Sequence, residues 1–305
     1  MSGRLAILCP GQGGQNPGMF DLLPAEAQAA VGVALAPVLA YPLPSILADD
    51  SLLFANRIAQ PLIVAATLAI WDLLKDALPE PMLVAGYSIG EFSACGVAGA
   101  APASELIALA AQRAALMDAC AIDAPQGLMS VTGLAVDIVR ERLPLYGIYL
   151  AIDTGFDTLI AGGRQADLLA AECDLQARGA RIGHLPVSVA SHTPLMQGAA
   201  DPFAARLAQM TFHDPHIPLL AGVSGQVLRH KTAVQEALMR QLTQPIDWTA
   251  CMDACVEQGI TVVLELGPGA ALSRMLRVRH PEIACRSVSE FRSLAGIRQW
   301  LDRLD

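Results

Sequence analysis

The sequence predicts an α/β fold: a large domain built on a parallel sheet, with a small βαββαβ subdomain inserted into it. Three observations carry this. Hydrophobic residues are 53% of the 305-residue chain but aromatics only 5%, so the apolar mass is Ala, Leu, Val and Ile. That composition suits helices packed on a buried parallel sheet. Short apolar runs alternate with longer helical patterns through residues 1–126 and 188–305. Between them, residues 127–187 read β-α-β-β-α-β, the ferredoxin-like order, in about 60 residues.

The elements follow in order. Arg4–Cys9 is a strand-length apolar run, and the glycine-rich loop Pro10-Gly11-Gln12-Gly13-Gly14-Gln15 comes after it. Helical patterns lie around Ala25–Leu35 and Ala59–Leu78. Met82–Ala85 is a strand, and Glu91–Ala98 can continue as a helix. Ser104–Cys120 is a helix with Ser104 as its expected N-cap. In the middle segment, Leu128–Thr132 is a strand, Val136–Leu143 a helix, and Ile148–Asp153 and Thr158–Ala161 two strands about a turn at Gly155. Gln165–Arg178 is a helix and Arg181–Val187 a strand. Pro125 and Gly127 mark entry to the subdomain and Pro186 its exit. The large domain resumes with a helical Ser191–Met210, a strand Pro218–Val223, and helices Ala233–Gln241 and Trp248–Gln258. Thr261–Leu266 is a strand, Gly267-Pro268-Gly269 a turn, and Ala270–Val278 and Glu290–Leu304 are helices.

Charge and cysteine usage narrow the function classes. The net charge is −9, which argues against a nucleic-acid partner. Basic residues do cluster at Arg274, Arg277, Arg279 and His280, and at Arg178, Arg181 and His184. They read as solvated helix ends or as docking patches for an acidic partner or a phosphorylated ligand. No run reaches the roughly 18 consecutive apolar residues of a membrane span, and the N-terminal run is too short for a signal peptide, so a cytoplasmic protein without a membrane partner is expected. Seven irregularly spaced cysteines suggest reduced core thiols. Cys251 with Cys255, or His213 with His216, lack any companion metal motif, so no metal is expected.

The chemistry centres on Gly86-Tyr87-Ser88-Ile89-Gly90. This G-x-S-x-G lies between a strand and a helix, where a sharp turn lifts a serine hydroxyl clear of the sheet and the helix N-terminus offers N–H groups to an oxyanion. It gives the large domain an α/β-hydrolase-like reading. Serine needs a base, and among six histidines His192 stands out at a strand-to-helix junction, where a side chain can face a cleft. The loop at Pro10–Gln15 fits G-x-G-x-x-G at Gly11 and Gly13 but has Asn16 at the third position, so a dinucleotide site fails; the loop can instead bring a second oxyanion N–H close to the serine. Arg113 lies in the apolar stretch Ala108–Leu116. Such a charge is either paired or snorkelling, or it grips a substrate carboxylate.

Five motifs occur in order: Pro10–Gln15, Gly86–Glu91, Gln112-Arg113-Ala114-Ala115-Leu116-Met117, Ser188-Val189-Ala190-Ser191-His192 and Glu265-Leu266-Gly267-Pro268-Gly269. Together, along essentially the whole chain, they resemble the malonyl-CoA:acyl-carrier-protein transacylase family. The resemblance implies Ser88 as nucleophile, His192 as base and acid, backbone N–H groups of Gln12 and Ile89 as the oxyanion hole, and Arg113 as the ligand of the malonyl carboxylate. It places Tyr87, Asp153 and Gly267 around the pocket. It implies no bound cofactor, with malonyl-CoA as substrate and an acyl carrier protein as acceptor. A backbone carbonyl near Leu266–Ala270 is expected to orient His192.

Two departures bear on the acceptor. Tyr87 replaces the family's usual histidine, and Ala151-Ile152-Asp153-Thr154-Gly155-Phe156 replaces an asparagine-rich segment. The Tyr-Ser pair is similar to the malonate decarboxylase branch, whose acceptor is a carrier subunit bearing a phosphoribosyl-dephospho-CoA group; fatty-acid or polyketide synthesis is the alternative. Outside the family, a serine esterase or thioesterase and a non-catalytic carrier-binding subunit remain as competing readings.

Overall fold

The computed structural model describes residues 3–155 and 157–304. Eleven strands form among them: β1 (Leu5–Cys9), β2 (Leu83–Gly86), β3 (Gln126–Thr132), β4 (Tyr149–Asp153), β5 (Thr158–Arg164), β6 (Arg181–His184), β7 (Leu219–Leu220), β8 (Val227–Leu228), β9 (Ile246–Asp247), β10 (Val262–Glu265) and β11 (Ala284–Ser287). They make two sheets, ordered β11-β10-β1-β2-β7-β8 and β6-β3-β5-β4-β9.

In the first sheet five strands run parallel and β8 closes the edge antiparallel to β7. β1 is central and wholly buried. Its side chains alternate, as a pleated strand requires. Leu5, Ile7 and Cys9 enter one core with the helices Asn56–Leu74 and Gly90–Val97, while Ala6 and Leu8 enter another with the helix Trp248–Glu257. The helix Asn56–Leu74 runs on into a 3₁₀ turn at Lys75–Ala77. By length and composition this segment could cross a membrane, but 72% of its most apolar 18-residue window is buried inside the protein.

The second sheet holds the ferredoxin-like order β6-β3-β5-β4, antiparallel throughout, with the helices Val136–Arg142 and Gln165–Ala177 on one face. Its other face shares a core with the large domain through Leu128, Ile152 and Ile160. The large domain also adds β9 to its edge, parallel to β4 with Ile246 opposite Ile152. Periodicity cannot signal a two-residue strand, and neither β8 nor β9 is anticipated by it.

Three local expectations are corrected. The helix expected from Ser104 begins at Ala103 behind Pro102, with no side-chain cap, because proline's fixed φ already sets the entry. The helix expected from Ser191 starts only at Gln197, after a 3₁₀ turn at Pro194–Met196. Residues 191–193 stay irregular because His192 is held at φ +62°. The last helix is Leu294–Leu301, preceded by a 3₁₀ turn at Val288–Glu290 whose Ser287 and Glu290 form a capping box.

Candidate active site

Parallel neighbours deliver their C-terminal ends to one edge of the sheet, where α/β proteins bind ligands. Cys9 of β1 is paired with Gly86 of β2, and Leu8 with Glu265 of β10. The loops after these strands, Pro10–Gln15, Tyr87–Ile89 and Leu266–Ala270, therefore converge. They line a cleft of about 350 Å³ whose opposite wall is the small sheet, including Ile152, Thr154 and Ile160.

Ser88 sits on that turn at φ +56°, and His192 is the other non-glycine residue at positive φ among those described. Both conformations are costly for a side chain, and such strain concentrates at functional sites. The flanking glycines are obligatory: a Cβ on Gly86 would lie 2.2 Å from the backbone nitrogen of Glu91, and one on Gly90 2.1 Å from the carbonyl oxygen of Cys9.

Ser88 Oγ and His192 Nε2 are 2.7 Å apart. His192 Nδ1 donates to the backbone carbonyl of Gln241, and the His192 backbone N–H donates to that of Leu242 at 3.2 Å. A carbonyl only accepts, so Nδ1 carries the proton and Nε2 offers its lone pair to the serine hydroxyl. Both carbonyls belong to the last turn of the helix Lys231–Thr243, where backbone oxygens have no partner within the helix. This corrects the expectation that the orienting carbonyl lies near the Gly-Pro-Gly turn. That turn instead packs on the first loop: a Cβ on Gly14 would meet the Pro268 oxygen at 2.5 Å.

His192 is completely buried. Burial first, and then the Arg113 charge, pull its pKa down to about 3, against the upward pull of the Gln241 carbonyl. The imidazole is thus a neutral base, and a cation formed on it faces the negative end of a helix.

Ile89 is the N-cap of Gly90–Val97. Among the described residues neither its backbone N–H nor that of Gln12 has a hydrogen-bond acceptor, and Gln12 lines the cleft beside Ser88. The side-chain nitrogen of Gln12 is also buried without a partner.

Arg113 is 1% exposed in the helix Ala103–Ala119. Its Nη1 donates to Gln60 Oε1 at 2.7 Å, and its guanidinium lies 5.9 Å from the centre of the Phe92 ring. Nε and Nη2 have no partner among the described residues. Burial lowers its pKa to about 10, opposed by the charge of Glu91. It does not line the cleft, but its charge reaches His192.

Of the other expected pocket residues, Tyr87 lines the cleft and stands edge-on to Trp248, ring centres 5.2 Å apart. Asp153 does not. It pairs with Arg140 at 2.5 Å and accepts from the Gly155 N–H at 2.9 Å and the Thr249 hydroxyl at 3.2 Å. β4 alternates, so its neighbours Ile152 and Thr154 face the cleft instead. Gly267 is also outside the lining; at φ +77° it backs onto Pro10 and Thr67. Phe156 lies outside the described residues.

The basic clusters are mostly neutralised. Arg279 and His280 both bind Asp253, Arg277 binds Glu290, Arg178 binds Asp174 and His184 binds Glu172. Arg274 is exposed at the cleft.

Sequence reasoning missed two residues. Gln241 sits in an ordinary amphipathic helix and leaves no sequence signal. Glu91 follows the motif directly; a carboxylate in an otherwise apolar helix was its only signal. It is 4% exposed, its Oε1 accepts from the Gly222 N–H at 2.6 Å, and burial pushes it up to about 8.

Residues 7–291 match the acyl transferase domain family. The malonyl CoA-acyl carrier protein transacylase of Mycobacterium tuberculosis is 33% identical over 291 residues, covering 93% of this chain and 96% of the relative. That of Salmonella typhimurium is 29% identical over 90% of this chain and 92% of its own. Among solved structures, the Xanthomonas oryzae malonyl-CoA:acyl carrier protein transacylase superposes with a TM-score of 0.90 at 30% identity, covering 99% of both chains. A malonyl-transacylase in complex with a type II polyketide acyl-carrier protein superposes at 0.91, with 27% identity and 97% and 99% coverage.

Proposed function

The chain belongs to the acyl transferase family and is an acyltransferase; on that premise we propose that it carries malonyl from CoA to the thiol of an acyl carrier protein through an ester on Ser88. The observation that carries the reading is the Ser88–His192 pair together with a buried arginine, two of whose guanidinium nitrogens have no partner among the described residues. The relatives' names support the substrate and the acceptor.

The steps follow from the geometry. His192 Nε2 takes the Ser88 proton as Oγ attacks the thioester carbonyl. The oxyanion is received by the N–H groups of Ile89 and Gln12, each such donor being worth roughly 3–4 kcal/mol of barrier. Collapse breaks the C–S bond, and His192 returns the proton to the departing CoA sulfur. The carrier thiol then gives its proton to His192 and attacks the ester; the C–O bond breaks, His192 returns the proton to Ser88 Oγ, and malonyl leaves on the carrier sulfur. Transfer between thiols is nearly thermoneutral, so the site needs to exclude water rather than supply energy. Arg113 selects the acyl group, because acetyl leaves its buried charge unmatched whereas malonyl brings a carboxylate. Since Arg113 lies behind the cleft lining, the acyl group must extend past Ser88 to reach it.

Tyr87 and the segment from Ala151 are the grounds for a malonate decarboxylase setting. The relatives' names give an acyl carrier protein as the acceptor, in one structure a type II polyketide carrier, and on that support we adopt the fatty-acid or polyketide setting. Intact-mass measurement after mixing with malonyl-CoA tests the chemistry. We expect one malonyl adduct, absent in Ser88→Ala and discharged by an acyl carrier protein. No adduct on the wild-type protein, or discharge to water as fast as to the carrier, refutes the reading. Faster discharge to a carrier bearing phosphoribosyl-dephospho-CoA restores the decarboxylase setting.

A further inference from the structure

Gln241 joins the two strained residues of the site. Its backbone carbonyl holds His192 Nδ1, and its side-chain Nε2 donates to the Ser88 carbonyl at 3.3 Å. The same Nε2 donates to Glu91 Oε2 at 3.1 Å. Glu91 Oε1 takes the Gly222 N–H at 2.6 Å, and the Glu91 backbone N–H donates to the Ser88 carbonyl at 3.0 Å. Gly222 permits this contact, since a Cβ there would lie 2.1 Å from Glu91 Oε1.

We propose that Glu91 is a positioning residue: acting through the side-chain amide of Gln241, it fixes the serine turn and the histidine in register for proton transfer. The proposal rests on the reading of Ser88 and His192 given above. Donor and acceptor polarity carries the argument. A backbone N–H only donates, so Gly222 fixes Oε1 as an acceptor. Oε2 then accepts from Gln241 Nε2 at 3.1 Å. That orients the Gln241 amide with its nitrogen inward, toward the Ser88 carbonyl. The orientation leaves Gln241 Oε1 buried with no partner among the described residues, which is a cost. Glu91 thus sets which end of the amide meets the serine turn, and the amide ties that turn to the helix end that holds His192. The Arg113 charge opposes the rise that burial imposes on the Glu91 carboxyl.

Glu91→Gln keeps the size but inverts the polarity. The Gly222 N–H holds the new amide oxygen, so its NH₂ faces the Gln241 NH₂. Relief requires Gln241 to turn its oxygen inward, against the Ser88 carbonyl. Misplacing reacting groups by about an ångström costs on the order of 100-fold. We expect kcat for malonyl transfer to fall about 10- to 100-fold with KM for malonyl-CoA within about twofold. Gln241→Leu leaves Glu91 its Gly222 partner and removes only the amide; it should show the same split. The double variant should be no slower than the slower single, because the two residues act as one unit. Wild-type kcat in folded Glu91→Gln, wild-type kcat in Gln241→Leu, or losses that multiply in the double variant overturn the proposal. Wild-type adduct formation on Ser88, measured alongside, reports the underlying reading separately; its absence overturns both.

Discussion

Replacing Arg113 by Met removes the charge and keeps an unbranched apolar side chain in the helix Ala103–Ala119. Two guanidinium nitrogens have no partner among the described residues. If both bind the malonyl carboxylate, each charge-assisted bond contributes about 1.5–3 kcal/mol. The lower end is the better estimate, because the carboxylate loses its hydration on entering. Two such bonds then give about 3 kcal/mol, which is roughly 100-fold in kcat/KM for malonyl-CoA. Acetyl-CoA has no group to lose, so its kcat/KM should hold or rise. Competition between the two thioesters, read by intact mass of the Ser88 adduct, measures the ratio directly. A preference for malonyl left unchanged in Arg113→Met would refute the clamp and leave Arg113 a structural partner of Gln60 at 2.7 Å.

Further outcomes follow from the same site. His192→Ala should slow acylation by at least about 100-fold, because general-base assistance is typically worth that much or more; stopped-flow release of CoA reads it, and a smaller loss points to another base. Gly90→Ala should destabilise the protein by at least about 2 kcal/mol in urea unfolding, since the added carbon would overlap a central-strand carbonyl; a neutral result would mean that the turn can shift. Because His192 is pulled from 6.5 to about 3, the acid limb of kcat/KM should lie well below 6.5, and Arg113→Met should move it upward by removing one downward cause. A wild-type limb at 6.5 would mean that the imidazole is solvated. The same depression bears on stability. As pH falls from 6.5 toward 3 the unfolded chain takes the proton first, so this contribution is present above 6.5 and lost on acidification, and urea midpoints across that range check it.

Much of the site was legible because its parts are local in sequence. The strand, Gly86, Ser88 and Gly90 occupy one short stretch, and the strain of the turn makes the glycines obligatory. The buried Arg113 was visible as a charge in an apolar helix, since such a charge needs a reason. Asp153 was misread because a strand edge does not reveal which neighbour faces the cleft, and its place fell to Ile152 and Thr154. The helix expected at Ser191 failed because the pattern of polar and apolar residues carries no record of a side chain held at positive φ.

By itself the sequence determined the alternation of strands and helices, the serine turn, its family resemblance and the histidine that would serve it. These rest on short-range chemistry: side-chain volume, backbone freedom and hydrophobic period. Only the tertiary structure decided how His192 is held and what fixes the serine turn, because Gln241 lies 49 residues from His192 and 153 from Ser88. Its contribution comes from the orphan carbonyls of a helix end and from one buried amide, and neither exists until the helix Lys231–Thr243 docks against the sheet.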